Sequence, residues 1–89
     1  MNQDIVEINS NEVISFMKDK EEVALSDIKE KFGYGREDSF LLVRELIKKG
    51  YCEEVGFRKN EEKSTAEMTY RLTEEGKKIT NFPNIKIRK

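Results

Sequence analysis

Between Ala66 and Leu72 apolar and polar side chains alternate without a break, Ala66, Met68, Tyr70 and Leu72 against Glu67, Thr69 and Arg71. Period-2 alternation is the signature of a strand with one face on a core and the other in water. The segment before it keeps a different period. From about Arg36 to Lys49, Ser39, Leu42, Val43 and Leu46 fall on one helical stripe with Ile47 beside it, and Gly50 follows. Acidic Glu37 and Asp38 open that helix and basic Lys48 and Lys49 close it, as its dipole favours. Tyr51 to Phe57 then reads as a strand, and Arg58 to Thr65 as a polar loop, so the second half of the chain is a helix followed by a hairpin. A chain of 89 residues has material for one modest core. That core has to be shared by this hairpin and the helices before it, which is an α+β arrangement.

Two more helices precede this unit. Asn9 and Glu12 have capping-box spacing, with Ile8 and Val13 placed as a hydrophobic staple. The helix they start should run to about Lys20 and bury Val13, Ile14 and Met17, with Phe16 at the edge of the stripe. Val23-Ala24-Leu25 supplies a short extended piece. Ser26 or a neighbour starts the second helix, whose Leu25, Ile28 and Phe32 follow i, i+3, i+7 spacing. Gly33 sits where a left-handed C-cap belongs, and Gly33-Tyr34-Gly35 makes the turn into the third helix. After the hairpin, Thr73 caps a short final helix. The expected layout is an arm at 1–8, a domain at 9–80 and a basic tail at 81–89.

Chemistry is narrowed mainly by what the composition lacks. There is no His, so the usual neutral-pH base is missing, and the single Cys52 has no partner for a nucleophilic pair, a disulfide or a zinc site. Glu53-Glu54, Glu61-Glu62 and Glu74-Glu75 are adjacent pairs, and neighbours in a strand point to opposite faces. Gly33-Tyr34-Gly35 lies between helices and is too short for a phosphate loop. Neither an enzyme nor a metal or other cofactor is expected. No apolar run approaches the roughly 20 residues that span a bilayer, and the first residues lack signal-peptide regions. A reducing cytoplasm suits the lone thiol.

Charge is distributed unevenly. Residues 1–43 carry five Lys/Arg against ten Asp/Glu, a net of −5, and residues 44–89 carry twelve against eight, a net of +4. Arg36, Arg44 and Lys48, spaced by eight and four along the third helix, fall near one face. Arg58, Lys59 and Lys63 crowd the loop of the hairpin, diluted by Glu61 and Glu62. Cations in two such places suit a phosphate backbone, and they equally suit a salt-bridged, solvated surface.

From Val13 to Ile79 the sequence resembles the winged helix-turn-helix superfamily, and within it small prokaryotic transcription regulators of the multiple-antibiotic-resistance and phenolic-acid-regulator types. The resemblance is carried by Ala24-Leu25-Ser26-Asp27-Ile28, by Leu46-Ile47-Lys48-Lys49-Gly50-Tyr51, and by Met68-Thr69-Tyr70-Arg71-Leu72-Thr73-Glu74-Glu75-Gly76-Lys77-Lys78. It implies three helices, a wing hairpin of two or three strands and a short C-terminal helix. It also implies double-stranded DNA as the partner, read by exposed positions of the third helix and held at the wing. Those reading positions are Glu37, Asp38, Phe40, Leu41 and Arg44, of which Arg44 is the type usual there; Arg36, Arg44, Lys48, Arg58, Lys59 and Lys63 are expected on phosphates.

Carboxylates near phosphates cost affinity, so Glu37 and Asp38 open a second reading. In it the third helix is a protein-contact surface with Phe40 and Leu41 as anchors, Glu37 and Asp38 as rim, and no DNA bound. Apolar residues outside the minimal domain, Ile5, Val6, Ile8, Phe82, Ile85 and Ile87, leave two further alternatives open. The ends form a homodimer contact, as regulators of this type commonly do, with Ile85-Lys86-Ile87-Arg88 able to add as a strand to its own sheet or to another subunit's, or they fray.

Overall fold

Asn9 begins the helical part of the chain as the sequence requires. Its Oδ1 accepts the backbone N–H of Glu12 at 3.2 Å, capping α1 (Ser10–Asp19). The return half of the box is supplied from elsewhere, because the Asn9 N–H donates to the Tyr34 hydroxyl. The computed structural model describes residues 5–62 and 64–88. Its other elements are β1 (Ile5–Ile8), β2 (Val23–Ala24), α2 (Leu25–Phe32), α3 (Arg36–Lys48), β3 (Cys52–Asn60), β4 (Thr65–Leu72), α4 (Glu74–Lys77) and β5 (Ile85–Arg88). Helices and antiparallel strands share one core, an α+β fold.

Two glycines fix the ends of the central helices. Gly33, at φ 83°, closes α2 with its N–H on the Lys29 carbonyl. Gly50, at φ 81°, sits just past α3, where its N–H meets the Ile47 carbonyl and the Tyr51 N–H meets that of Leu46. That pair of bonds is a Schellman motif, and it turns the chain directly into β3. The α4 helix is capped by Thr73, whose Oγ1 accepts from the Gly76 N–H and donates to the Gly50 carbonyl.

The hairpin strands form the larger sheet, in the order β2-β4-β3, with β2 reduced to Val23 and Ala24 opposite Tyr70 and Thr69. Here the sequence reading needs correction. Arg58, Lys59 and Asn60, expected in a loop, are strand residues paired with Glu67, Ala66 and Thr65, so β3 runs to Asn60 and β4 starts at Thr65. Antiparallel backbone bonds form whatever the side chains are, and polar residues suit the outer half of a hairpin whose exposed positions meet water. A bulge between Glu54 and Gly56 leaves Val55 without a partner and resets the alternation, so Phe57 stands opposite Met68.

The core joins Ile8, Val13, Ile14, Met17, Val23, Ile28, Leu42, Val43, Leu46, Cys52, Tyr70, Leu72 and Phe82. Leu25 and Phe32 flank it, half-buried. Of the segments expected as an arm and a tail, Ile8 and Phe82 belong to this core, while residues 1–4 and 89 lie outside the described residues. β1 and β5 pair antiparallel as a separate two-stranded ribbon, with Val6 opposite Ile87 and Ile8 opposite Ile85. Ile85 and Ile87 pack against the core, and Phe82 is locked by Asn11, which accepts its N–H and donates to its carbonyl. Alternation in Ile85-Lys86-Ile87-Arg88 thus forms a strand as period 2 allows, with β1 as its partner.

Candidate nucleic-acid interface

The solvent side of α3 is set by what packs on its other sides. Ser39, Leu42, Val43 and Leu46 are buried, and the helix is in contact with α2, β3, β1 and β5. The exposed residues Arg36, Phe40, Arg44 and Lys48 follow at intervals of four and so make one row, with Glu37 and Lys49 beside it. Two expected surface residues are not there. Asp38 is buried, its Oδ2 turned back toward Gly35 at the start of the helix. Leu41 is half-buried rather than exposed. A helical wheel allots one buried stripe, whereas a helix touched by four elements has less of its circumference in water. A carboxylate in the first turn also gains from the unpaired N–H groups of that end.

Five of the six expected phosphate contacts are among the described residues, and they divide into two kinds. Arg44 and Lys59 are exposed, and among the described residues they form no ion pair. Lys48 makes an exposed 3.6 Å pair with Glu45, one turn away, which costs little to break. Lys63 lies outside the described residues. Arg36 and Arg58, by contrast, converge on acids. An Nη2 of Arg36 lies 3.2 Å from Oε1 of Glu67, and Nη2 of Arg58 lies 2.9 Å from Oδ1 of Asp27 and 3.8 Å from Oε2 of Glu67. The Ser26 hydroxyl donates to Oε2 of Glu67 at 2.7 Å.

Local structure explains why these groups meet. Asp27 stands in the first turn of α2, where its Oδ2 accepts the Ala24 N–H at 2.9 Å. Glu67 and Arg58 are cross-strand partners on β4 and β3, so their side chains share a face of the hairpin. Partial burial works to raise the Asp27 pKa, but the Arg58 hydrogen bond, the Ala24 N–H and the charges of Arg58 and Lys20 outweigh it and hold it below the usual value. The same hydrogen bond holds the Arg58 guanidinium above its ordinary value against the opposing effect of burial.

Asp27 and Glu67 were not singled out by the sequence. Alternation puts Glu67 on the polar face of its strand, but the meeting of α2, α3 and the hairpin at one corner is a tertiary fact. Phe57 also escaped notice and is 73% exposed, although its cross-strand partner Met68 packs against the core. Among the described residues no three His, Cys, Asp or Glu are grouped to hold a metal ion, and no helix is long and apolar enough to cross a membrane. Comparison of the chain with protein-family models, with curated proteins and with solved structures gave no match.

Proposed function

We propose that this chain is a winged helix-turn-helix domain that binds duplex DNA, with α3 in the major groove and the β3–β4 hairpin serving as the wing. Several features support the fold reading. They are the order of three helices and a hairpin, the left-handed turn at Gly33 between α2 and α3, and the β2-β4-β3 sheet. The observation that carries the function is the row Arg36, Phe40, Arg44 and Lys48 together with the burial of Asp38. Turning Asp38 inward leaves Glu37 as the exposed acid of the first two turns of α3, and cations then outnumber acids along the face that meets a groove. Arg44 at the middle of that row is the residue for a base edge, and Lys48 and Lys59 are the residues for phosphates.

A titration of random-sequence duplex at several salt concentrations tests this. Affinity should fall linearly with salt on a log–log plot, and reversing Arg44 and Lys48 together to Glu should weaken binding to every duplex and flatten the slope. A folded wild-type protein that binds no duplex at about 50 mM salt, where phosphate contacts are strong, overturns the reading.

The second reading, a protein-contact module, is favoured by Phe40 and Phe57, which are 38% and 73% exposed. It loses ground at the same time, since Asp38 and Leu41, half of its expected surface, are drawn into the fold.

A further inference from the structure

We infer that Glu67 is an internal counter-anion, occupying the place a DNA phosphate would take between Arg36 and Arg58 and thereby restraining duplex binding at this corner. The inference rests on the DNA reading and adds a restraint to it.

Groups from three elements converge on the one carboxylate that β4 supplies. The Ser26 hydroxyl of α2 and the Arg36 guanidinium of α3 donate to it at 2.7 and 3.2 Å, and the Arg58 guanidinium of β3 lies 3.8 Å away as an ion pair. Two guanidinium forks and a hydroxyl are the donor set that recognises a phosphate, whose oxygens accept in the same manner as a carboxylate's. The layering is equally informative. The Glu67 side chain is only 12% exposed, whereas those of Arg36 and Arg58 are 66% and 46% exposed. The acid lies inside and the cations outside, so a phosphate arriving from solvent meets the guanidinium groups first and competes with Glu67 for the Arg36 N–H bond and with Asp27 for that of Arg58.

Charge makes the restraint effective. Asp27 and Glu67 cancel Arg36 and Arg58, so the corner offers a passing polyanion no net attraction. Phosphate binding there has to displace carboxylates already in place. The cations free of strong partners, Arg44, Lys48 and Lys59, then carry the wild-type affinity, with Arg36 and Arg58 held in reserve.

Exchanging Glu67 for Gln keeps the shape and the acceptor for Ser26 while removing the charge. On random-sequence duplex at about 100 mM salt, Glu67→Gln should bind about tenfold tighter, the size of one released counterion, with a steeper salt slope. Loss of any acid near the interface would raise affinity somewhat, so the deciding measurement is the cost of Arg36→Gln, the arginine bonded to Glu67, in two backgrounds. That cost should be under about twofold in the wild-type chain and close to tenfold in Glu67→Gln, one phosphate contact's worth. Glu37→Gln, which removes an exposed acid that holds neither arginine, should leave the cost of Arg36→Gln unchanged.

Asp27→Asn gives a second route should Glu67→Gln fail to fold by circular dichroism. It removes the carboxylate that accepts the Arg58 hydrogen bond and should raise the cost of Arg58→Gln in the same way. Equal costs of the matching arginine substitution in the wild type and in the folded acid-neutralised background overturn the inference while leaving DNA binding intact. Absence of duplex binding by the wild type removes the DNA reading itself, a separate result.

Discussion

Cys52 shows how one side chain reports on its surroundings. It opens β3 with its thiol in the core, and burial pushes its pKa up from 9.0 to about 12, with the nearby Glu53 and Glu54 charges adding to the effect. The folded chain therefore keeps its proton in a range where the unfolded chain gives it up. Stability from this residue is fully present below pH 9 and is lost as pH rises from there toward 12. The loss is up to about 1.4 kcal/mol per pH unit. Urea midpoints measured at pH 8 and pH 10 should fall further for the wild type than for Cys52→Ala, and iodoacetamide should label the thiol quickly only after unfolding. An equal fall in both proteins would mean the thiol is not held as described. At this scale the sequence was a fair guide where a residue's fate depends on its immediate neighbours, as with the cap at Asn9 and the left-handed Gly33. It misled at Asp38 and Leu41, whose burial depends on how many elements lean on α3.

Among the elements, α4 is the shortest helix, and its Gly76 sits against backbone. Gly76 is buried, and a Cβ built there collides with the backbone carbonyl of Tyr51, the same carbonyl that accepts the Thr73 N–H. In an open helix Gly to Ala is stabilising by about 1 kcal/mol. Here the sign reverses, because the obstructing atom is backbone and cannot rotate away. Gly76→Ala should cost about 1–3 kcal/mol, seen as a lower urea midpoint with an unchanged slope. A midpoint that stays level or rises would show that α4 sits further from Tyr51. Element types were legible in the periods of the sequence, 3.6 in α1, α2 and α3 and 2 in β4, although within β4 Thr69, expected in water, is fully buried and Ala66, expected inside, is exposed. The length of β3 was not, since Arg58-Lys59-Asn60 carries no apolar alternation and its pairing is imposed by β4 opposite. The arginine corner was illegible for the same kind of reason. Its members lie at 26–27, 36, 58 and 67, and only the packed fold brings them together.

The whole molecule is closed by segments that looked dispensable. A chain ending at Asn81 keeps all three longer helices and the hairpin but loses Phe82, β5 and the bonds from Ser10 to Pro83 and Asn84. Uncovering the Phe82 site alone should cost about 1.5–3 kcal/mol. The truncated chain should melt at clearly lower temperature than the full one. Identical melting curves would show that the ends contribute nothing to the core. Apolar residues at 5, 6, 8, 82, 85 and 87 signalled that the ends have somewhere to pack, yet no local pattern says that they pack on each other.

That arrangement has a mechanical consequence. Ile5 and Arg88 are direct partners at the open end of the β1–β5 ribbon, so the two ends of the described chain emerge side by side. A load pulling those ends apart acts across the strands and opens their pairs in succession, Ile5–Arg88 first and Ile8–Ile85 last. Because the bonds fail one after another, this clasp should yield at low force, while the β3–β4 hairpin bears load only after it has opened.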